Sequence, residues 1–407
     1  MAKGPLENVR ILDLTHVWAG PLATRILGDL GAQILKIEAP MSRGPRVYPA
    51  VPLGSFIGGD PGDEPWNANA VFVKLMRNKK SLALDLKTET GRNTFLELVA
   101  ICDVVIENFS ARAMAGLELD YENLKQANPE IIHVAMPGYG LSGPYSERVA
   151  FGPTVEPMSG LTSVMGYGVD EPRATAMAVP DPTSAVNATA AVVTALRMRD
   201  LTGQGRLVEM SLHESATSYS GPWLIDTQLG TEPTPIGNRH PELAPHGTYP
   251  CLGEDTWVVI GCRSDMEFQT LCDICEIEVD REWTLAERKS YASVLDEEIA
   301  TWTCTRSYEA IVKALNTGSI PVGGVFDTES MLANPQSDAR GFFVPIERDT
   351  PIPGNPIKMT GISSDDWTPC PKLGEHNEEV LAEWLDYDSD RISGMYDDGV
   401  IVNRPPR

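Results

Sequence analysis

The sequence predicts an α/β protein in which a parallel β-sheet is flanked by helices. In the first third of the chain, the apolar runs at residues 9–14, 103–107 and 131–135 are typical of buried strands. Segments with helical spacing, at residues 21–30 and 90–100, alternate with these runs. Because parallel strands need crossover connections, usually helices, this alternation indicates β-α-β units.

A long helix rich in alanine and valine is predicted at residues 183–200. Gly203-Gln-Gly205 follows it, and glycine is the usual residue just beyond a helix end. Residues 206–210 then have the composition of another strand, and a helix is predicted from there to about residue 229. The β-α-β alternation therefore extends beyond the first third of the chain.

The chain is 407 residues long, which favours two domains over one. Five prolines fall between residues 231 and 250, so this stretch is interpreted as an extended linker. A strand at 257–261 and a helical stretch from 265 to about 315 follow it. These elements indicate a second, smaller domain.

The formal net charge is -24 and the isoelectric point is about 4.6. A protein this acidic repels nucleic acids and anionic membrane surfaces, so neither is expected as a partner. Seven cysteines, an odd number without a regular framework, predict free thiols in a reducing compartment. The N-terminal segment lacks the apolar core of a signal peptide, and no run approaches the ~18 apolar residues of a membrane span. We therefore expect a cytoplasmic protein.

Several motifs are interpreted structurally. The stretch Gly138 to Gly143 matches G-x-G-x-x-G, but Pro144 follows and no clean helix begins there, so we expect only a glycine-rich turn. Cys272 and Cys275 share one face of a helix and are predicted to lie in a core stripe. His133 lies within an apolar strand and is predicted to be a core histidine with its hydrogen bonds satisfied. No spacing typical of metal ligands occurs, so no metal site is predicted.

The stretch from Lys74 to Arg92 contains six basic residues against two acidic ones. Such a cluster can be a solvated face, or it can bind a phosphate-bearing ligand. Both alternatives stay open from the sequence.

Asp181 lies between two prolines, directly before the long predicted helix. Pro182 suits the first helical position, so Asp181 is predicted to be the N-cap. The same position also suits a nucleophile, because the helix dipole favours the ionised form and fixes its orientation.

Ordered motifs from residue 11 to residue 376 resemble the family III CoA-transferases, also called the CaiB/BaiF family. The matching segments are ILDLTHVWAGP (11–21), GDLGA (28–32) with KIE (36–38), RNKKSLALDLK (77–87), ENF (107–109), TGQG (202–205), IPVGGV (320–325) and LGEH (373–376). Asp181 falls where the family has its catalytic aspartate, before the same helix.

This resemblance implies a fold as well as an activity. A large Rossmann-like domain would be built from residues 1–225 and 330–407, with a proline-rich linker at 226–250 and a small domain at 251–329. Two such chains would interlock as a homodimer.

The implied activity is transfer of CoA from an acyl-CoA to a free carboxylic acid. Asp181 would attack the thioester to give an aspartyl anhydride, and the CoA thiolate would then form an aspartyl-CoA thioester. CoA would be a substrate, with no tightly bound cofactor. The resemblance assigns CoA-binding roles to Val17, Ala19, Arg43, Leu84, Lys87, Asn108, Phe109 and Arg112, and acyl-pocket roles to Trp18 and Tyr139.

The sequence departs from the family at three places. Trp18 stands where several members have glutamine beside the thioester, and Ala39 replaces a CoA-binding arginine for which Arg43 is a candidate substitute. Residues 237–241 occupy the region of a tetraglycine loop. The indole of Trp18 beside the thioester predicts a pocket for a carbon-chain or ring-bearing acid rather than for formate or oxalate.

Two other functions fit parts of the sequence. An acyl-CoA racemase of the same fold would need a histidine near residues 150–152, and none occurs there. A non-catalytic acyl-CoA-binding protein would not need Asp181. We therefore expect a CoA-transferase.

Overall fold

The computed structural model describes residues 4–40, 56–171, 173–347 and 350–405. The described helices, in chain order, are α1 (Ala19–Asp29), α2 (Ala70–Val73), α3 (Glu89–Val99), α4 (Ala113–Gly116), α5 (Tyr121–Ala127), α6 (Gly152–Met158), α7 (Leu161–Val164), α8 (Pro180–Thr202), α9 (Leu212–Thr217), α10 (Gly221–Gln228), α11 (Asp265–Cys275), α12 (Leu285–Ser290), α13 (Ala292–Thr303), α14 (Tyr308–Thr317), α15 (Thr328–Leu332), α16 (Pro335–Ala339), α17 (Asn377–Leu385) and α18 (Ser389–Asp397). The described strands are β1 (Arg10–Asp13), β2 (Gln33–Glu38), β3 (Lys79–Ala83), β4 (Val104–Glu107), β5 (Ile132–Ala135), β6 (Arg206–Glu209), β7 (His246–Pro250), β8 (Trp257–Gly261), β9 (Val322–Val325), β10 (Phe343–Glu347) and β11 (Thr350–Pro353).

The chain divides into two compact units. The first contains Met1–Leu161, Ala174–Leu229 and Asp338–Arg407, and the second contains Thr162–Arg173 and Gly230–Ser337. The limits predicted from the sequence differ from these chiefly at residues 162–173 and 226–250. Within the described ranges, no helix is both long and apolar enough to cross a bilayer.

The first unit is built on a parallel sheet, which in the described residues has the strand order β3-β2-β1-β4-β5-β6. Every neighbouring pair is parallel. This order is that of a doubly wound sheet, in which successive strands are added toward one edge from β1 to β3 and toward the other edge from β4 to β6. The predicted parallel α/β sheet is therefore confirmed, although β3, whose sequence is KKSLA, was not among the predicted strands.

Apolar side chains cover both faces of this sheet. Leu12 and its neighbours face a layer that contains Phe95 and Val380, whereas Ile11 faces a layer that contains Ala23 and Ala188. Alternate residues of a strand point to opposite faces, so the central strands β1, β4 and β5 are buried on both faces.

Helices α1 and α8 bring the candidate site together. Each helix precedes a strand of the parallel sheet, so both run antiparallel to the strands and start at the edge where the strands end, here called the carboxyl edge. The Thr189 hydroxyl of α8 donates to the carbonyl of Ala23 of α1 at 3.5 Å. Asp181 lies about two helical turns before Thr189, and the turn from β1 into α1 ends about one helical turn before Ala23. Asp181 is therefore level with the turn that connects β1 to α1.

The second unit contains its own sheet, with β7, β8 and β9 antiparallel in that order among the described residues. Strand β7 lies within the stretch interpreted from its prolines as an extended linker, so that interpretation is wrong for residues 246–250. Cys272 and Cys275 are 1% and 4% exposed in the core of this unit, which confirms the core-stripe prediction.

Candidate active site

Asp181 lies in the first turn of α8 and is 8% exposed. The helix begins at Pro180, and Val179 occupies the N-cap position, with no capping bond from a side chain. The prediction that Asp181 caps the helix with Pro182 at the first position is therefore wrong. The helix begins earlier because Pro180, whose φ is already suited to a helix, takes the first position.

The flanking prolines explain why this carboxylate stays without hydrogen bonds. Pro180 and Pro182 have no N–H, and the N–H of Asp181 donates to the carbonyl of Ala178 at 2.9 Å. No hydrogen bond or ion pair of the Asp181 carboxylate occurs in the part of the chain that the structure describes. Burial therefore raises the pKa of Asp181 to about 6. At neutral pH the group is still mostly ionised, yet poorly stabilised, which favours nucleophilic attack.

Gly152, the first residue of α6, lies directly against this carboxylate. A Cβ atom placed on Gly152 would be 2.1 Å from Oδ2 of Asp181. Helix α6 is held in place by Glu156, which is fully buried and accepts hydrogen bonds from the N–H and hydroxyl of Thr175 at 2.7 and 2.5 Å. The residue before the glycine is Phe151, where the racemase alternative would need a histidine.

The turn between β1 and α1 is fixed by Asn108, which follows β4. The N–H of His16 donates to Oδ1 of Asn108 at 2.7 Å, and Nδ2 of Asn108 donates to the carbonyl of His16 at 2.8 Å. The ring of His16 stacks on Phe109 at 5.4 Å, and burial lowers the pKa of His16 to about 4, so the ring is neutral. These contacts hold Val17 at a φ of 66°, which is costly for a β-branched residue.

The three residues after His16 differ in exposure. Val17 is 68% exposed, Trp18 is half-buried and Ala19 is 1% exposed. Val17 also lines a pocket of about 370 Å³ at the carboxyl edge, between the ends of β1 and β2 and helix α2. The ring of Trp18 lies under the ammonium of Lys74 at 5.0 Å.

Tyr139 lies in the turn after β5. Its hydroxyl contacts the sulfur of Met158 at 3.1 Å, and its ring lies 5.8 Å from that of His213. The segment Gly138 to Gly143 forms no helix, which confirms the interpretation as a glycine-rich turn.

The sequence-predicted CoA-binding residues outside these turns have different surroundings. Lys87 is exposed beyond β3, and Arg112 is exposed with an ion pair to Glu147. Leu84 is fully buried, so only its backbone could meet a ligand. Arg43 lies outside the described residues.

Two members of the basic stretch from Lys74 to Arg92 have purely structural roles. Arg77 is fully buried and forms two hydrogen bonds with Asp29, at 2.8 and 2.6 Å. Lys79 is 3% exposed and contacts Oδ2 of Asp13 at 3.0 Å. Neither cation is available to a phosphate, so the cluster seen in the sequence is not one binding face.

Asp13 is the centre of this buried network. Burial alone would raise its pKa, but the charges of Lys36 and Lys79, with hydrogen bonds from Thr15 and Thr24, hold that pKa far below its usual range. The carboxylate thereby ties β1, β2, β3 and α1 together beneath the site.

His133 corrects another expectation. It is 3% exposed in β5, as predicted for a core histidine, but neither ring nitrogen has a hydrogen-bond partner among the described residues. Its Nε2 is 3.7 Å from Oε1 of Glu107, beyond hydrogen-bond distance.

The structure thus places most of the predicted site residues along one edge of one sheet. Trp18 and Ala19 follow β1, Lys87 follows β3, Asn108 and Phe109 follow β4, Tyr139 follows β5, and Asp181 begins α8. Ligands of doubly wound sheets bind at this edge, next to the point where the strand order reverses. Sequence reasoning missed Gly152, because a glycine carries no local signal of what it contacts, and it named Lys74 only as one member of the basic stretch.

A parallel sheet and a buried carboxylate at the start of a helix on its carboxyl edge define the class, an α/β enzyme with a candidate carboxylate nucleophile. Residues 6–377 match the model of CoA-transferase family III. The chain therefore belongs to CoA-transferase family III, and the prediction of a CoA-transferase is confirmed.

Known relatives span nearly the whole chain. The succinate–glutarate CoA-transferase of Agrobacterium fabrum is 32% identical over 391 residues, 94% of this chain and 96% of the relative. The acetyl-CoA:oxalate CoA-transferase of Acetobacter aceti is 30% identical over 394 residues, 94% of this chain and 96% of the relative. The crystal structure of a CaiB/BaiF family protein from Brucella suis is 28% identical, with a TM-score of 0.83 over 94% of this chain and 99% of that chain.

Proposed function

We propose that this enzyme transfers CoA from an acyl-CoA to a free carboxylic acid through covalent intermediates on Asp181. The Asp181 carboxylate attacks the thioester carbonyl, the carbon–sulfur bond breaks, and an aspartyl anhydride forms with release of CoA thiolate. The thiolate attacks the aspartyl carbonyl, which gives aspartyl-CoA and releases the first acid. The second acid repeats both steps in reverse, so CoA leaves on the new acyl group and Asp181 is regenerated.

The observation that carries this proposal is the state of the Asp181 carboxylate. It is buried, lies at a helix N-terminus and has a pKa raised to about 6. Such a group is charged at neutral pH but loses little hydrogen bonding when it becomes an anhydride or a thioester. The intermediates conserve the thioester energy, so no second energy source is needed.

CoA is proposed to bind along the carboxyl edge, where Val17, Ala19, Asn108 and Phe109 flank the reversal point of the sheet. The exposed Lys87 and Arg112 are proposed to meet its phosphates, with the backbone at Leu84 and the side chain of Arg43 as further contacts. Trp18 and Tyr139 are proposed to line the acyl pocket. Trp18 favours carbon-chain acids in this proposal, whereas the name of one relative includes oxalate.

A homodimer, with its two chains interlocked, is part of the proposal. Helix α10 has no buried residue, and Leu224, Ile225 and Leu229 are 51%, 59% and 78% exposed. Val186 and Leu201 of α8 are 60% and 67% exposed. Apolar surface of this extent favours association, and light scattering would give the mass of the particle. A cytoplasmic location is also proposed, on the basis of the sequence.

The test is direct detection of the covalent intermediates. The protein would be mixed with succinyl-CoA, quenched in acid, digested and analysed by mass spectrometry, with hydroxylamine added to a parallel sample to capture an activated aspartyl group. A CoA adduct or hydroxamate on the peptide containing Asp181 is expected, and it should disappear in Asp181→Asn. Glu309→Gln, which removes an exposed first-turn carboxylate in the second unit, is the control and should behave as wild type. Transfer that persists in Asp181→Asn would refute the proposed nucleophile.

A further inference from the structure

Lys74 ends helix α2 with its charge in an unusual setting. Its ammonium lies 5.0 Å from the centre of the Trp18 ring, and its side chain is half-buried. In the described part of the chain, the ammonium has no ion pair or hydrogen bond. Burial, followed by the charge of Arg25, lowers the pKa of Lys74.

Arg25 adds to the positive character of this place. It is 8% exposed, its NH1 group donates to the carbonyl of Lys74 at 3.3 Å, and its Nε has no hydrogen-bond partner among the described residues. Burial and the charge of Arg77 lower the pKa of Arg25 to about 10, against the opposing effect of Asp29. A buried donor without a partner is costly, so such a group usually meets a ligand, a water or an ion.

Two neighbouring cations, Arg77 and Lys79, are each paired with a carboxylate. Arg77 and Lys79 are matched by Asp29 and Asp13 within hydrogen-bond distance. The charges at Lys74 and Arg25 are therefore in excess locally, although the whole chain has a net charge of -24. A partly desolvated cation in excess attracts an anion much more strongly than an exposed one does.

The position of this excess charge suggests which anion it meets. Trp18 begins the turn into α1, and Asp181 is level with that turn at the same edge of the same sheet. An acyl group attached at Asp181 and packed on the Trp18 indole would direct its far end toward Lys74. A carboxylate at that far end would find a matching charge, whereas a methyl group would leave the cation unpaired in a desolvated place.

We propose that Lys74 is a specificity-determining residue that binds the second carboxylate of a dicarboxylic substrate. This inference rests on the proposed function, because it assumes that the acyl group is carried by Asp181. The carbon chain between the two carboxyl groups packs on Trp18, and Arg25 supports the charge of Lys74. The same residue selects both the donor and the acceptor, since both pass through the same acyl-aspartyl state.

The test compares acids of equal length that differ in one carboxylate. Acceptance of CoA would be measured as kcat/KM for succinate against butyrate, glutarate against valerate and adipate against hexanoate, with acetyl-CoA and succinyl-CoA as donors. The full-length wild type, Lys74→Met, Lys74→Arg and Lys125→Met would be assayed. Lys125 is an exposed lysine whose ammonium lies 5.8 Å from the Tyr121 ring, so its substitution removes a similar contact away from the site.

The wild type is expected to prefer the diacid of at least one pair. Lys74→Met is expected to lose about 10- to 100-fold of that preference, mainly through KM for the diacid, with monoacid transfer retained. Lys74→Arg should restore part of the preference, and Lys125→Met should leave it unchanged. Retained monoacid transfer by Lys74→Met would also show that this variant is folded.

Three results would overturn the inference. One is a wild type that transfers CoA but prefers monoacids throughout. The second is Lys74→Met with an unchanged ratio of diacid to monoacid, and the third is an equal loss for both acids with a higher KM for acyl-CoA, which would make Lys74 a CoA contact. In all three cases the proposed transferase reaction stands, whereas a wild type without transfer to any acid would refute that reaction itself.

Discussion

Oδ2 of Asp181 lies so close to Gly152 that a methyl group on this glycine would be 2.1 Å from it. That distance is well inside van der Waals contact, so any side chain at position 152 must displace the carboxylate or the start of α6. The Asp181 carboxylate can occupy its position only because residue 152 of α6 has no side chain.

Gly152→Ala is expected to lower kcat about 10- to 100-fold, because a displaced carboxylate no longer meets the thioester in a reactive orientation. Steady-state kinetics and thermal unfolding would measure the effect. Gly394→Ala is the control, because a Cβ there meets nothing within 4 Å and alanine suits the interior of α18 better. Full activity in Gly152→Ala would contradict this prediction, because it would show that the Asp181 carboxylate can move aside without loss of function.

Asp181→Asn is expected to be inactive but more stable than the wild type at neutral pH. The folded-state pKa of about 6 lies above the ordinary value of 3.8, so the folded protein binds more protons than the unfolded chain between these pH values. The free energy of unfolding of the wild type therefore falls as the pH rises from about 3.8 to about 6. Asparagine does not ionise, so Asp181→Asn lacks this contribution to the fall. Urea unfolding from pH 4 to pH 8 should show a stability gain for Asp181→Asn that grows up to about pH 6 and is then constant. A gain that is largest at pH 4 would contradict the raised pKa.

Asn108→Ala is expected to raise KM for acyl-CoA, because both hydrogen bonds that fix the His16 backbone are lost. Unfolding should also become easier by about 1–3 kcal/mol. Asn128→Ala is a matched control, since Nδ2 of Asn128 donates to the carbonyls of Val99 and Cys102 in the same unit, away from the site. Similar loss of stability in both variants, with a changed KM only in Asn108→Ala, would support a positioning role. An equal KM in both would assign Asn108 to stability alone.

Lys87→Ala is expected to weaken CoA binding and to make it less dependent on salt, because one charge-assisted phosphate contact is lost. Calorimetry at low and moderate ionic strength would measure Kd. Lys313→Ala, which removes an exposed lysine from the second unit, should leave Kd unchanged. An unchanged Kd at low salt for Lys87→Ala would show that this lysine is part of a solvated face.

Periodicity and turn residues predicted strands β1, β4, β5 and β6 and helices α1, α3 and α8 within a few positions, whereas the short helices α2, α4, α5 and α6 were not predicted. The long helix, for example, was predicted at residues 183–200 and is found at Pro180–Thr202. Strand β3 was missed because KKSLA looks like a charged surface. Lys79 is buried there only because Asp13, 66 residues earlier in the chain, neutralises it, and local sequence does not contain that information.

For the candidate site, too, the sequence predicted some features, and others depend on contacts between distant residues. The resemblance pointed to Asp181, but the reason that its pKa is raised depends on two prolines without N–H groups and on burial beneath α6. The sequence also grouped Arg77 and Lys79 with Lys74 and Lys87, although their surroundings differ completely. The sequence shows where charged residues cluster along the chain. Whether each charge is free to bind a ligand depends on the residues that the fold places beside it.

The far end of the chain completes the sheet beside β3. The N–H of Ala83 donates to Oδ1 of Asn377 at 2.9 Å, and the N–H of Asp85 donates to the carbonyl of Val400 at 2.8 Å. These contacts cover the end of β3, which would otherwise offer open backbone groups to another chain. Since residues 377–400 are made after residues 230–337, the first unit can be finished only after this part of the second unit has left the ribosome. The newly made chain must therefore keep an unfinished sheet from aggregating until residues 377–400 have been made.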